Sequence, residues 1–182
     1  MQSGQIIQSI YHLSNQSFGQ DYLTLAQIQE YTTNPTYTLL HTEKEGVLQG
    51  FTVLQQTSIQ AIFSTKPKDL KALGILLPKK ISIQHKIWHR KHTIVAAPYR
   101  NQKIGSALFQ QSLCLKPQLP FLAIRWVAPH NSMSYLYAKH GFTQLCTLPN
   151  YWQADSQQKG YLCQGCFKIP CCCNAELWLK IP

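Results

Sequence analysis

The sequence predicts a mixed α/β fold in which a sheet is flanked by helices. The chain has 182 residues, of which 45% are hydrophobic and only 13% are charged, and this is enough for one domain with a full core. Segments with helical spacing of apolar residues alternate with short segments rich in β-branched and aromatic residues. No internal repeat or low-complexity linker divides the chain. We therefore expect a single domain over residues 1–182.

Two helices are predicted at the start of the chain. Apolar residues at Ile6, Ile10 and Leu13 recur at helical spacing. Farther along, Thr24 and Gln27 have the spacing of a capping box, in which each side chain satisfies a backbone N–H of the first helical turn. This pair is expected to open a second helix that runs to about residue 31.

A hairpin is predicted after the helices. Residues 36–42 and 47–55 are rich in β-branched and aromatic side chains, and the polar segment 43–46 between them is typical of a turn. These two strands should therefore pair in antiparallel fashion. Residues 67–77 have a helical pattern, which Pro78 would end.

The second half of the chain is expected to alternate between strands and helices. Strands are predicted over residues 87–97, 121–128, 142–148 and 175–181, and helices over residues 104–115 and 132–140. Pro117 follows the first of these helices and stops it. Asn131 is a good N-cap for the second, and Gly141 stands where a left-handed C-cap is expected. A cysteine-rich insertion at about 160–174 lies between the last two strands.

The chain is basic, with 17 Lys and Arg against 7 Asp and Glu and a formal net charge of +10. The resulting field attracts anions such as phosphorylated cofactors. The basic residues are spread thinly and form no run of five, which disfavours nucleic acid as a partner. No segment approaches the roughly 20 apolar residues that cross a bilayer, and the N-terminus lacks the pattern of a secretion signal. We therefore expect a soluble, cytoplasmic protein without a membrane partner.

The segment from Val95 to Leu108 carries the clearest chemical signal. A predicted strand ends there in a short loop with a glycine and passes directly into a helix, which directs several backbone N–H groups at one point. Arg100 and Lys103 add positive side chains at the positive end of the helix dipole. The arrangement is typical of an anion site, although glycine is also common at such turns for its backbone freedom alone.

Two motifs resemble those of the GNAT superfamily of N-acyltransferases. Residues 95–108, VAAPYRNQKIGSAL, resemble the acyl-CoA loop of that family, whose pattern is (Arg or Gln)-x-x-Gly-x-(Gly or Ala). Residues 131–142, NSMSYLYAKHGF, resemble its second motif, a helix that begins at Asn and ends in Tyr-x-Lys-x-Gly-Phe. The two motifs follow each other in the family's order. The resemblance covers about residues 87–148 and does not explain residues 56–85 or 153–174.

The resemblance implies a GNAT-like fold with a mixed, mostly antiparallel, twisted sheet flanked by helices. Acetyl-CoA would lie between the two splayed central strands of this sheet. Its pantetheine arm would pair with the backbone near Val95 and Ala97. The loop residues that would bind the cofactor are Arg100, Asn101, Gln102, Lys103, Ile104, Gly105 and Ser106. In this loop, Lys103 replaces the first glycine of the family pattern. Asn131 is a further candidate contact, and its alternative role is that of a plain N-cap.

The resemblance also implies that an amine attacks the thioester directly, without a covalent enzyme intermediate. Tyr137 matches the family's general-acid position and would protonate or stabilise the leaving thiolate. The strand that leads into the loop contains no Asp or Glu to take a proton from the amine. His92 is the best replacement, because its unperturbed pKa is near neutrality and strand alternation puts it on the same face as Arg90. His89 and His130 are rival candidates.

Five of the seven cysteines lie between residues 163 and 173, which is unlike the spaced disulfide framework of a small secreted domain. Cys163, Cys166, Cys171 and Cys173 form a C-x-x-C knuckle and a second pair, which are enough for a tetrahedral structural zinc site. A reversible disulfide, an iron–sulfur site and unliganded thiols are the alternatives. The family's topology would place this segment near the acceptor entrance.

The sequence favours an N-acetyltransferase that moves an acetyl group from acetyl-CoA to a primary amine of a small molecule or a protein N-terminus. Because carboxylates are few and the field is positive, a neutral or anionic acceptor is expected to be preferred. Two other classes stay open. Lys103 and the missing carboxylate base suggest a catalytically inert acyl-CoA-binding domain, while the charge and the cysteines suggest a small metal- or nucleic-acid-binding protein. No motif identifies the acceptor or the oligomeric state.

Overall fold

The computed structural model describes residues 3–20, 22–115, 118–127 and 133–182. Its helices are α1 (Ser3–Phe18), α2 (Leu25–Thr33), α3 (Ile59–Ile62), α4 (Pro67–Leu76), α5 (Ile104–Leu115), α6 (Met133–Lys139) and α7 (Gln153–Lys159). Its strands are β1 (Tyr37–Lys44), β2 (Val47–Ser58), β3 (Lys86–Val95), β4 (Phe121–Trp126), β5 (Thr143–Leu148) and β6 (Ala175–Lys180). A short 3-10 helix, Ala97–Tyr99, follows β3.

The strands form one open sheet in the order β1-β2-β3-β4-β6-β5. All neighbours pair antiparallel except β3 and β4, which run parallel. The ladder between these two strands stops at Arg90 and Ala123, whereas β3 continues to Val95 and β4 to Trp126. The central strands therefore separate toward their carboxyl ends. The predicted α/β fold with splayed central strands is confirmed.

A bulge interrupts β3 at Lys91. On the neighbouring strand β2, Leu54 pairs with Arg90. The adjacent residue Val53 pairs with His92, so one residue of β3 is left over between them. An extra residue shifts the alternation of side chains along a strand by one position. Arg90 and His92 consequently face opposite sides of the sheet.

Helices cover both faces of the sheet. α1 and α2 pack on one face, where Ile10, Ile28 and Val53 are fully buried. α5 and α6 pack on the other face, where Phe109 and Tyr137 are buried. Full burial of one large apolar side chain stabilises a fold by about 1.5–3 kcal/mol. These layers fix β3 and β4 at the point where the two strands separate.

Most of the predicted elements are confirmed, with some corrected boundaries. α1 runs to Phe18, well beyond its predicted apolar face. The predicted turn 43–46 is too long, because β1 continues through Lys44 and pairs as far as Val47. The strand that leads into the loop ends at Val95, and Ala97 instead begins the 3-10 helix.

Two helices have no clear signal in the sequence. α3 is a single turn that the Ser58 side chain caps by accepting a hydrogen bond from the Ala61 N–H. α7, with the sequence QADSQQK, has no apolar stripe and buries only Ser156.

Gly141 adopts the expected left-handed conformation, with φ of 77°.

The predicted helix stop at Pro117, the strand end at residue 128 and the N-cap at Asn131 lie outside the described residues. Within the described ranges, no helix combines the length and the apolarity that a membrane span requires.

Candidate active site

The candidate site begins where β3 and β4 separate. β3 stays paired with β2 as far as Val95, but its ladder with β4 ends at Arg90. Beyond that point the edge of β3 that faces β4 offers backbone N–H and C=O groups to an extended ligand, as a free strand edge does to a peptide. A pantetheine arm, which carries amide groups, suits such an edge.

The loop that follows β3 has the backbone of an anion-binding turn. Asn101 and Lys103 adopt left-handed conformations, with φ of 64° and 62°. α5 begins at the next residue, Ile104, and the N–H groups of a first helical turn lack intrahelical partners. Lys103, which replaces the first glycine of the motif, is therefore itself in the left-handed region that favours glycine. Its replacement of that glycine leaves the left-handed turn in place.

Side chains of the loop hold it against the end of β3. Arg100 Nε donates to the Val95 carbonyl at 3.2 Å, and Gln102 Nε2 donates to the Pro98 carbonyl at 3.1 Å. Arg100 and Lys103 are exposed, so both charges face solvent close to the start of α5. The structure thus brings the predicted loop residues 100–106 together in one turn.

Gly105, the second residue of α5, faces the end of β3. A Cβ atom added to this glycine would lie 3.5 Å from Val95 Cγ2, which is an ordinary van der Waals contact. The fold itself therefore has room for alanine at this position. A ligand that approaches the start of α5 would use the space that the glycine leaves.

Tyr137 lies in the core on the α5 side of the sheet. Its side chain is 4% exposed, and its ring stacks on Trp178 and meets Phe109, with ring centroids 5.6 and 5.4 Å apart. Burial raises the pKa of the hydroxyl, and the charges of Arg90 and Arg125 oppose that increase. The phenol is therefore protonated at neutral pH and lies close to buried cations.

Arg90, to which no sequence motif assigns a role, lies beside Tyr137. It is 5% exposed, and its Nη1 donates to Thr52 Oγ1 at 3.1 Å and to Ser112 Oγ at 3.2 Å. Its guanidinium carbon also lies 4.4 Å from the ring centroid of Phe109. No ion pair in the described part of the chain includes this arginine. A buried cation without a carboxylate is costly, and it favours a negative charge that develops beside it.

On the other face of the sheet, His92 points toward α1 and α2. Its Nε2 lies 3.2 Å from the Tyr31 hydroxyl, and its ring centroid lies 5.7 Å from that of Tyr22. The prediction that His92 shares a face with Arg90 is wrong, because the bulge at Lys91 shifts the alternation. Burial, with the charge of Lys91, lowers the pKa of His92 well below its ordinary value. The imidazole is therefore neutral, and its role as a base stays a prediction.

Solved structures of acetyltransferases have the same architecture. The ribosomal-protein-S18-alanine N-acetyltransferase from Escherichia coli aligns with a TM-score of 0.61 over 99% of this chain and 89% of that chain, at 12% identity. NAA60 of Arabidopsis thaliana in complex with a bisubstrate analogue aligns with a TM-score of 0.61 over 95% of this chain and 90% of that chain, also at 12% identity. The chain has the GNAT acyltransferase fold.

A third GNAT structure supports the same assignment. The GNAT family acetyltransferase from Elizabethkingia anophelis with acetyl-CoA bound aligns with a TM-score of 0.58 over 94% of this chain and 90% of that chain, at 16% identity. No protein-family model matches the sequence, and no curated protein does. The similarity is therefore seen in the three-dimensional structure and not in the overall sequence. Because a fold does not establish a function, the function is argued from the residues of the site.

The rival histidines of the GNAT-like site differ in position. His130 and the candidate contact Asn131 lie outside the described residues. His89 precedes the separation, because it still pairs with Leu122 of β4. Burial, with the charge of Lys91, lowers the pKa of His89 to about 3. His92 is therefore the described histidine that lies beyond the last β3–β4 pair.

The two depressed histidine pKa values predict acid sensitivity of the fold. An unfolded histidine titrates near 6.5, so between that pH and the lower folded values the unfolded state binds more protons. The stabilisation is fully present above about pH 6.5 and is lost as the pH falls. Because the folded pKa of His89 lies below this interval, we expect its titration to remove about 2 kcal/mol from the free energy of unfolding between pH 6.5 and 5. His92 should lower that free energy in the same direction. Urea denaturation at several pH values measures this loss.

The matched variants for this measurement are His89→Gln and His12→Gln. The first removes one half-buried imidazole with a lowered pKa and should flatten the pH dependence of the unfolding free energy. The second makes the same change at an exposed side chain on α1 and serves as the matched control. A slope that is identical in the wild type and in His89→Gln would show that this imidazole protonates equally in both states.

Aromatic side chains from distant segments meet around His92. We call them the aromatic wall: Phe18, Tyr22, Trp126 and Tyr161. The ring centroids of Phe18 and Trp126 are 6.2 Å apart, and those of Tyr22 and Tyr161 are 5.3 Å apart. Trp126 ends β4, and His92 lies on the separated part of β3. The wall therefore lines the mouth of the gap that opens between β3 and β4. Sequence patterns give no signal for it, because its members lie far apart in the chain.

Two of the described carboxylates near the site, Asp155 and Glu176, are paired with cations. Asp155 accepts a hydrogen bond from the Tyr161 hydroxyl at 2.9 Å and pairs with Lys159 Nζ at 2.9 Å. Glu176 pairs with Arg125 Nη1 at 2.7 Å. Neither carboxylate is therefore available to compensate an added positive charge at the gap.

The four predicted metal ligands come together in the segment between α7 and β6. The Sγ atoms of Cys163, Cys166, Cys171 and Cys173 all lie within 4.8 Å of one another. Cys172, in the middle of the same segment, is exposed and lies outside this group. The four thiols that the sequence analysis selects as metal ligands thus lie together, and their binding of a metal stays a prediction.

Proposed function

We propose that the protein is an N-acetyltransferase that transfers the acetyl group of acetyl-CoA to a primary amine by direct attack. The observation that carries the proposal is that three features follow one another along β3. They are a loop whose backbone suits an anion, a pair of separated parallel strands and, beside Arg90, a protonated buried tyrosine. These features suit, in order, the diphosphate, the amide-bearing arm and the thioester of acetyl-CoA. The acetyltransferases of the same fold support this assignment.

In the proposed reaction, the amine nitrogen bonds to the carbonyl carbon of the thioester and the C–S bond breaks. The Tyr137 hydroxyl gives its proton to the departing sulfur. Arg90 lies beside it and stabilises negative charge, first on sulfur and then on the phenolate oxygen. Solvent returns the proton to the phenolate. The products are an amide and free CoA thiol.

The amine also loses a proton, and His92 is the proposed acceptor, directly or through water. Its imidazole is neutral and therefore able to accept. Because His92 and Tyr137 lie on opposite faces of the sheet, the gap between β3 and β4 would connect them. The amine would enter from the face of the aromatic wall while the sulfur leaves on the face of α5.

CoA release from acetyl-CoA over a panel of amines tests the proposal, together with calorimetry of acetyl-CoA binding. Turnover with at least one amine supports the acetyltransferase. Binding of acetyl-CoA without turnover of any amine would instead identify an inert acyl-CoA-binding domain. Absence of both binding and turnover in folded protein would overturn the proposal.

The charges of the site predict its acceptor class. A polycation that loses water on binding needs carboxylates to compensate its charge, but Asp155 and Glu176 are already paired. The chain's charge of +10 also repels polycations at long range. We expect neutral or anionic amines, such as amino acids and acidic peptides with a free N-terminus, to have a higher kcat/KM than spermidine or kanamycin.

Salt dependence separates this electrostatic cause from shape selection. Added salt screens long-range fields, so the preference should shrink between low and high ionic strength. Steady-state kinetics with one acidic peptide and with spermidine at two salt concentrations measure it. Acetylation of spermidine at low salt as efficient as that of any peptide or amino acid would contradict the prediction.

A further inference from the structure

The cysteine cluster has the geometry of a tetrathiolate metal site. The Sγ atoms of Cys163 and Cys173 are 3.8 Å apart, and those of Cys166 and Cys171 are 3.9 Å apart. Four sulfurs at about 2.3 Å from a central Zn²⁺ form a tetrahedron with edges of about 3.8 Å. A disulfide needs sulfurs at about 2.0 Å. The four thiols are therefore spaced to surround an ion.

Backbone hydrogen bonds hold the sulfurs in this arrangement. The Gly165 N–H donates to Cys163 Sγ at 3.4 Å, and the Cys173 N–H donates to Cys171 Sγ at 3.4 Å. Such bonds stabilise thiolates and orient them as ligands. The Cys171 N–H donates to Ser156 Oγ of α7 at 2.6 Å, which fixes the second pair of cysteines to the body of the protein.

The cluster also has the burial of a closed structural site. Cys163 and Cys171 are 6% and 1% exposed, while Cys166 and Cys173 are half-buried. All four ligands come from protein, which leaves no open position for a substrate, as in structural zinc sites. Thiolate sulfur is a soft ligand that selects zinc over magnesium or calcium.

We propose that Cys163, Cys166, Cys171 and Cys173 bind one structural Zn²⁺ ion that holds the mouth of the gap in shape. The four thiols release their protons as they bind the ion, so affinity rises with pH. This ion would cross-link the C-x-x-C knuckle, residues 163–166, to the chain that enters β6. The metal site lies outside the acyl-CoA loop and away from Tyr137 in the sequence, and no proposed step of acetyl transfer uses the ion.

The knuckle reaches the aromatic wall through Gly165. A Cβ atom added to this glycine would lie 1.9 Å from Trp126 Cζ2, so the Trp126 indole packs directly on the knuckle backbone. Two residues before Cys163, Tyr161 contacts Tyr22. Loss of the ion should therefore release Trp126 and Tyr161, two members of the wall. This consequence for the acceptor rests on the proposed acetyltransferase function, whereas the metal site itself does not.

Metal content tests the site independently of activity. Protein purified under reducing conditions should contain one zinc per chain by inductively coupled plasma mass spectrometry. Cys166→Ser and Cys173→Ser should each lose the metal, whereas Cys172→Ser, a matched change of an exposed thiol in the same segment, should retain it. Stoichiometric iron with visible absorption would instead identify an iron site. A protein mass two hydrogens below that of the fully reduced chain would identify a disulfide. Either result would overturn the proposal.

A titration of the reduced, metal-free wild type keeps the proposal testable if the serine variants do not fold. Co²⁺ should give thiolate-to-metal charge-transfer bands and the strong d–d bands of a tetrahedral thiolate site, and one equivalent of Zn²⁺ should abolish them. Weak octahedral bands, or no zinc-sensitive change, would refute the site.

The role in shaping the mouth has its own readout. Removal of zinc should raise the KM of the amine about tenfold and change the Kd of acetyl-CoA less than twofold, because the ion supports the wall and not the loop. An unchanged KM in metal-free protein would show that the ion, where bound, does not act on the acceptor. If no amine is turned over at all, the metal content and the Co²⁺ spectrum still decide the site.

Discussion

Tyr137→Phe is expected to lower kcat about a hundredfold and to leave the affinity for acetyl-CoA almost unchanged. The phenylalanine ring keeps the stacking on Trp178 and the contact with Phe109, because only the hydroxyl is removed. The lost hydroxyl is the proposed proton donor, which lies beside Arg90. Without it the thiolate must leave unprotonated, which raises the barrier of the step that breaks the C–S bond.

Steady-state kinetics and calorimetry of acetyl-CoA binding measure the two effects separately. The matched control is Tyr135→Phe, the same change on the same helix α6 at a side chain that is 72% exposed. The control should keep the wild-type kcat. Normal turnover of Tyr137→Phe would assign Tyr137 to packing alone, and an equal loss in both variants would point to a general effect on α6.

The parts of the site that the sequence predicts are those built from neighbours in the chain. The loop from Arg100 to Ser106 is one continuous turn, so its glycine, its basic residues and the helix that follows are visible as a pattern. Lys103 looks like a defect in that pattern. The structure shows that its backbone adopts φ of 62°, so the turn is kept by a residue that pattern matching counts against it. The cysteine cluster is local in the same sense.

The parts that escape prediction depend on contacts between distant segments. Arg90 acquires its environment from Thr52 on β2 and Ser112 on α5, and neither partner is marked in the sequence. The prediction of the sheet face that His92 occupies is wrong for a different reason. One extra residue at Lys91 reverses the alternation of side chains on which that prediction depends. Bulges leave no reliable trace in composition, because their position is set by pairing with the neighbouring strand.

Gly105→Val is expected to weaken acetyl-CoA binding by well over tenfold, which corresponds to more than about 1.4 kcal/mol. The side chain of residue 105 would point from the first turn of α5 toward Val95 at the end of β3. A valine there fills the space between the helix N-terminus and the strand. A diphosphate could then no longer approach the N–H groups that the helix offers.

Two further variants separate loss of the ligand from loss of the fold. Gly105→Ala adds only the Cβ atom, which lies 3.5 Å from Val95 Cγ2, so it should weaken binding less than valine does. Gly74→Val makes the same change inside α4, where an added Cβ meets only Ile83 Cγ2 at 3.9 Å, and it should bind acetyl-CoA normally. Calorimetry gives the affinities, and thermal unfolding shows that each variant is folded. Unchanged affinity in folded Gly105→Val would place the diphosphate elsewhere, because no bound phosphate can share that space with two added methyl groups.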